Sequence, residues 1–203
     1  MEKVNSSMES AIDNANVVLD GDETVKRFRL LRLCIPLLVY IVIVFFFSFM
    51  VPKFLLERTQ VKGASMEDTL HDGDDIVINK LAYRFSSPSR YDVIVFYPQG
   101  NVKGDYFVKR VIALPGETIQ IINGVIFIDG KQVEEDYGTN AIVGAGQAAN
   151  PITLGKNEYF VLGDNRIISK DSRYESVGIV KKDYIVGEAW LRIFPMKEFG
   201  RID

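Results

Sequence analysis

Polar and apolar positions divide this chain into three differently patterned stretches. Residues 1 to 25 carry Glu2, Glu9, Asp13, Asp20, Asp22 and Glu23 against Lys3, are rich in Ser and Asn, and hold no aromatic residue. Such a segment buries too little apolar surface to offset the entropy of ordering, which predicts a flexible acidic tail. From Leu33 to Val51 the alternation vanishes: nineteen residues, LCIPLLVYIVIVFFFSFMV, contain no charge. A helix of that length is about 29 Å long, enough to cross a bilayer core. It also lacks the polar stripe that a soluble helix keeps. Beyond residue 58 the pattern becomes short runs rich in Val, Ile, Phe and Tyr, broken by Gly, Pro, Asp or Asn: DIVINKLAY, YDVIVFYP, DYFVKRVIAL, ETIQIING, VIFIDGKQV, EYFVLGD and YIVGEAWLRIF. These predict strands. The Asn-Gly and Asp-Gly pairs in IINGVIFIDGKQV predict two hairpins. No stretch there carries a long helical period, AIVGAGQAANP reads as a loop, and helical turns are expected after Ser65 and Lys170. The fold class is therefore mainly β, an antiparallel domain on one N-terminal transmembrane helix.

Charge sets the orientation. Lys26, Arg27, Arg29 and Arg32 crowd the N-terminal side of the apolar span, whereas Lys53 and Arg58 flank Glu57 on the other. That excess predicts a cytoplasmic N-terminus and an external C-terminal domain. A cleaved secretory signal would have a shorter apolar core and a small-residue cleavage site, and PKFLLERTQ offers none. The expected organisation is a cytoplasmic tail with a basic flank over 1–29, a transmembrane helix over 30–52 and an extracytoplasmic β domain over 53–203. Net charge is −3 over 203 residues, with no broad basic face, so nucleic acid is not an expected partner. The one cysteine, Cys34, lies in the span, so the external domain has no intrachain disulfide. With one histidine besides, no metal or other cofactor is expected.

Ser65 stands fourteen residues past the span, in GASMEDTL. Gly63 and Ala64 leave room for close backbone approach by a substrate, and Met66 and Leu70 supply apolar surface. A serine nucleophile needs a base. His71, the one histidine, falls in a polar turn and reads as a solvated turn residue. Lys109, in FVKRVIAL, is the alternative: period-two alternation places it with Phe107 and Val111 on an apolar face. Desolvation there lowers its pKa, and a neutral amine can take a proton from serine. The opposite reading, a solvated Lys109 with Arg110 facing inward, is equally compatible with the pattern. GDNRIISKDSR concentrates Asp164, Asn165, Arg166, Ser169, Asp171, Ser172 and Arg173, which suits either a polar surface loop or a support around a site.

The three motifs GASMEDTL, DYFVKRVIALPGE and GDNRIISKDSR, in that order after one anchor, resemble type I signal peptidase, the Ser/Lys peptidase that releases exported proteins from their signal peptides. The resemblance covers roughly residues 59 to 195, and the short domain with one span is similar to members from Gram-positive bacteria. It implies Ser65 as nucleophile and Lys109 as general base, with Ser169 hydrogen-bonding the lysine amine. It implies an Asp171–Arg173 ion pair near the site and an Asp164–Arg110 pair. Val61, Met66, Leu70, Phe107 and Val108 match positions lining shallow pockets for small P1 and P3 side chains. The implied partners are signal peptides of exported preproteins, the lipid bilayer and, further, the secretion translocon.

Two departures stand out. Asp68 occupies the place of the usual proline in SMxPTL. Gly63 stands where some members carry an oxyanion-binding serine, which leaves backbone N–H groups for the oxyanion, that of Ser65 first. Competing functions are a non-catalytic assembly factor for surface structures, which should have lost the serine or lysine, and a self-cleaving repressor, which would need a DNA-binding module. A dedicated processing peptidase differs only in substrate range.

Overall fold

The computed structural model describes residues 32, 34–49, 55–138 and 140–203, and the chain divides at Val51/Pro52 into two units. In the first, residues 34–49 are helical and expose Ile35, Leu37, Leu38, Phe45, Phe46, Phe47 and Phe49 among others. Among the described residues no helix is long and apolar enough to cross a membrane. The acidic tail and both ends of the expected span lie outside the described residues.

The second unit is antiparallel β structure, in agreement with the alternation. Its strands are β1 (Leu56–Gln60), β2 (Asp75–Asn79), β3 (Val93–Phe96), β4 (Phe107–Ala113), β5 (Thr118–Ile122), β6 (Val125–Ile128), β7 (Lys131–Gln132), β8 (Ile152–Thr153), β9 (Glu158–Leu162), β10 (Val180–Lys181), β11 (Ile185–Phe194) and β12 (Gly200–Arg201). One sheet runs β1-β2-β11-β3-β4-β9-β10, with β12 also paired to β11, and a smaller one runs β7-β6-β5-β8. The two hairpins form as read. Asn123-Gly124 and Asp129-Gly130 both adopt the pair of positive φ angles of a type I′ reversal. Residues 65–69 make only a turn, and Gly146–Ala149 is a short 3-10 helix within the loop.

The boundaries deviate for local reasons. DIVINKLAY stops being a strand at Asn79, whose side-chain oxygen accepts the Leu81 N–H and turns the chain. β1, LERTQ, was not legible as a strand because it is an edge with one apolar residue, as edge strands tend to be.

Strand β4 positions the site. It pairs with β3 (Ile94 opposite Lys109, Val93 opposite Arg110) and, further along, with β9. Lys109 therefore shares a face with Ile94, Phe96, Phe107 and Val111, which pack with Tyr159 and Val161. Arg110 falls on the opposite face beside Val108. A bulge between Val111 and Ala113 then turns β4 toward the second sheet, where Ile112 and Ala113 join Ile119, Ile126 and Phe160 in another core.

Candidate active site

Ser65 sits in the connection between β1 and β2. Its base is closed by Val61 N–H to Asp74 O (2.8 Å) and Gly73 N–H to Val61 O (3.0 Å). Inside the loop, Leu70 N–H reaches Met66 O at 2.8 Å. Met66 and Leu70 are plugged into a core with Val61, Ile76, Ile78, Val93 and Val95, so the loop hangs on two buried side chains. Gly63, at φ +84°, occupies a left-handed conformation that a side chain would strain. The Glu67–Asp68 peptide, at the departure from proline, is cis.

Lys109 Nζ lies 2.7 Å from Ser65 Oγ and 2.7 Å from Val108 O, and the residue is only 4% exposed. A protonated amine donates to the hydroxyl; a neutral one accepts the hydroxyl proton and still donates to Val108 O. Burial pushes the Lys109 amine down from its ordinary 10.5 to about 8, against the upward pull of the Asp171 and Asp164 carboxylates. The Phe107 ring centroid, 5.4 Å from Nζ, adds to the apolar wall. Both readings left open by the alternation thus have a part: Lys109 and Arg110 are each buried, on opposite faces of β4.

Arg110, fully buried, forms a bidentate pair with Asp164 (Nε–Oδ1 3.0 Å, Nη2–Oδ2 2.8 Å) and donates to Tyr91 O. The ring of Tyr137 stacks on its guanidinium. Thr69 enters the same cluster: its hydroxyl donates to Asp164 Oδ2 at 2.6 Å and accepts from Arg110 Nη2 at 3.0 Å. Asp171 pairs with Arg173 (Oδ1–Nε 2.8 Å, Oδ2–Nη2 2.9 Å) and accepts the Gly163 N–H. Arg173 also donates to the carbonyls of Arg166 and Ser169, so this pair cross-braces the segment from Gly163 to Arg173.

Three expected details come out differently. Ser169 Oγ is buried with no hydrogen-bond partner, and the bond to Lys109 is not made; Nζ spends its contacts on Ser65 and Val108. Gly63 offers no N–H to an oxyanion, because that group donates to Asp72 Oδ1 at 2.7 Å. Leu70 belongs to the core beneath the loop rather than to the substrate surface. Val61, Met66, Phe107 and Val108 do line a cleft of about 420 Å³ that opens onto Ser65 and Lys109. Gly63, Ala64, Lys62, Asp105, Tyr106 and Ile168 are among the residues of its other walls.

Sequence reasoning missed Thr69 and Gly163. A Cβ on Gly163 would collide with Ser169 Oγ and the Ser65 carbonyl. That carbonyl accepts the Asn165 N–H at 3.2 Å, so the segment after β9 rests directly against the Ser65 loop. Neither role leaves a local signal, since the Thr69–Asp164 and Gly163–Ser65 contacts each join residues about a hundred positions apart. His71 turns toward Glu198 (Nδ1–Oε2 3.8 Å). With Asp74 these two form the one set among the described residues that could ligate a metal ion. Arg192 Nη1 already bridges both carboxylates, at 3.0 Å to Asp74 and 2.9 Å to Glu198.

Comparison with known proteins agrees with the motifs. Signal peptidase IB of Staphylococcus aureus (strain Mu50) is 34% identical over 177 residues, covering 80% of this chain and 90% of that protein. A probable signal peptidase I-1 of Synechocystis is 36% identical over 156 residues, with 73% and 76% covered. A crystal structure of a signal peptidase I from Enterococcus faecalis, 33% identical, aligns with 51% of this chain and 97% of its own at a TM-score of 0.42. The family described as signal peptidase, peptidase S26, matches residues 34–194. Over a stretch holding all three motifs, the chain belongs to the signal peptidase family.

Proposed function

We propose that this signal peptidase cleaves signal peptides from exported preproteins with Ser65 as nucleophile and Lys109 as general base. The observation that carries the reading is the 2.7 Å approach of Lys109 Nζ to Ser65 Oγ within a buried, apolar wall. Neutral Lys109 takes the hydroxyl proton as Ser65 attacks the scissile carbonyl. The resulting ammonium returns that proton to the leaving amine. Water, activated in turn by Lys109, then hydrolyses the acyl-enzyme. The Ser65 N–H makes no hydrogen bond among the described residues and is the donor for the oxyanion.

Met66, Phe107 and Val108 are large side chains that leave shallow hollows, which suit Ala, Ser or Gly at P1 and small aliphatic residues at P3. Residues 30–52 anchor the enzyme in the membrane, with 1–29 cytoplasmic and 53–203 outside. The uncharged run from Leu33 to Val51 and its basic N-terminal flank support this. Fourteen residues from Val51 to Ser65 reach at most about 50 Å, which keeps the site within range of the bilayer surface. Ser65→Ala in the full chain, assayed on a preprotein in detergent, should fold normally and be inactive. Turnover near the wild-type rate would remove Ser65 from this role.

A further inference from the structure

Besides the contacts of Ser65 itself with Asn165 N–H and Lys109, the Ser65 loop is gripped from outside at Thr69, and there from two directions. On its side-chain end the hydroxyl donates to Asp164 Oδ2 at 2.6 Å and accepts from Arg110 Nη2 at 3.0 Å. On its main-chain end the carbonyl accepts from Arg192 Nη1 at 3.2 Å. These contacts tie the loop to three separate elements. Arg110 is on β4, adjacent in sequence to Lys109; Asp164 follows β9; Arg192 is on β11. Asp164 and Arg110 are fully buried and hold each other bidentately, so the side-chain grip is anchored on a rigid pair. Arg192 is likewise fixed, by Asp74 and Glu198.

We propose that Thr69 is a positioning residue that sets the distance between Ser65 Oγ and Lys109 Nζ. The nucleophile and the base come from different parts of the chain, and their 2.7 Å contact depends on holding the loop against β4. Met66 and Leu70 hold the loop down on its core, but apolar packing is non-directional and allows the loop to slide. The Thr69 hydroxyl supplies a directional contact beyond the one Asn165 makes to the Ser65 carbonyl, and its partner Arg110 is fixed to the same strand as the base. A displacement of the nucleophile by about 1 Å is enough to cost about a hundred-fold in rate.

This inference rests on the Ser65/Lys109 reading, and the experiment separates the two. Thr69→Val keeps the shape and removes the hydroxyl; Thr69→Ser keeps the hydroxyl and removes a methyl. Both are assayed in the full chain on a preprotein in detergent, beside Ser65→Ala and beside Thr153→Val, a surface control on β8. In Thr69→Val, kcat should fall about ten-fold or more with KM within about two-fold and with the alkaline limb of the pH profile unmoved. Thr69→Ser should recover most of the rate. If Thr69→Val does not fold, Thr69→Ala, which leaves the buried pair room for a water, carries the same expectation. Wild-type kcat in the hydroxyl-free variant while Ser65→Ala is dead overturns the positioning role and leaves the dyad standing. A loss confined to KM, or a limb that moves while the plateau stays, overturns it too. Activity in Ser65→Ala refutes the dyad reading and this inference with it.

Discussion

Replacing Lys109 by Met should inactivate the enzyme and remove that residue's share of the pH dependence of stability, so that the order of stability of variant and wild type reverses with pH. In the unfolded chain the amine keeps its ordinary pKa of 10.5, whereas burial lowers the native value to about 8. Between those two values the unfolded chain holds a proton that the native state has released, so wild-type stability rises with pH across that window. Below about pH 8 the native protein carries the full cost of a charged buried amine, about 3 kcal/mol for the gap between 10.5 and 8. Methionine removes that cost but also removes the contacts to Ser65 Oγ and Val108 O, each worth about 1 kcal/mol. The variant should therefore be the more stable by about 1 kcal/mol near pH 6.5, and the less stable by about 2 kcal/mol above pH 10.5. Urea unfolding of the full chain in micelles, at several pH values for both proteins, reads this crossing directly. Curves that run parallel from about pH 6.5 to 11 would show that Lys109 is not a depressed amine and would refute the reasoning. The same titration governs the rate: kcat/KM of the wild type should climb to a plateau through about pH 8, the value that burial imposes.

Other consequences follow from single contacts. His71→Ala should keep near-normal turnover, since its imidazole faces Glu198; loss of activity there with retention in Lys109→Met would make histidine the base. Arg110→Met strands the buried Asp164 carboxylate and should lower stability by about 3 to 5 kcal/mol, measured by the unfolding midpoint. Gly163→Ala must push its methyl against Ser169 Oγ and the Ser65 carbonyl. It should cost about 1 to 3 kcal/mol and most of the activity, and a fully active, undiminished variant would show that the contact relaxes freely. A peptide library should be cut after Ala, Ser or Gly; efficient cleavage after Lys or Phe would contradict the shallow cleft walls of Met66, Phe107 and Val108.

The fold was legible wherever a local rule decided it. Short runs rich in Val, Ile, Phe and Tyr named β2, β3, β4, β5, β6, β9 and β11, and Asn-Gly and Asp-Gly named the hairpins, because a type I′ reversal needs positive φ at both positions. The two-residue strands β8, β10 and β12 are too short to carry a period, and they exist because a longer neighbour offers them a partner. The site divides in the same way. Lys109 among apolar neighbours is a statement about one strand, and the pattern could hold it. Which of Lys109 and Arg110 would be buried was undecidable from that strand alone, since β4 is covered on both faces and buries both. Each cation survives there by a different route. Arg110 is matched by Asp164, Thr69 and Tyr91 as fixed acceptors and by a ring to stack on. Lys109 can lose its proton, and it faces a hydroxyl and one carbonyl with no carboxylate in contact. Two adjacent residues on one strand thereby do opposite work. The arginine uses its charge to tie the Ser65 loop to β4 through Thr69 and Asp164, and in the proposed mechanism the lysine sheds its charge to act on the serine so placed.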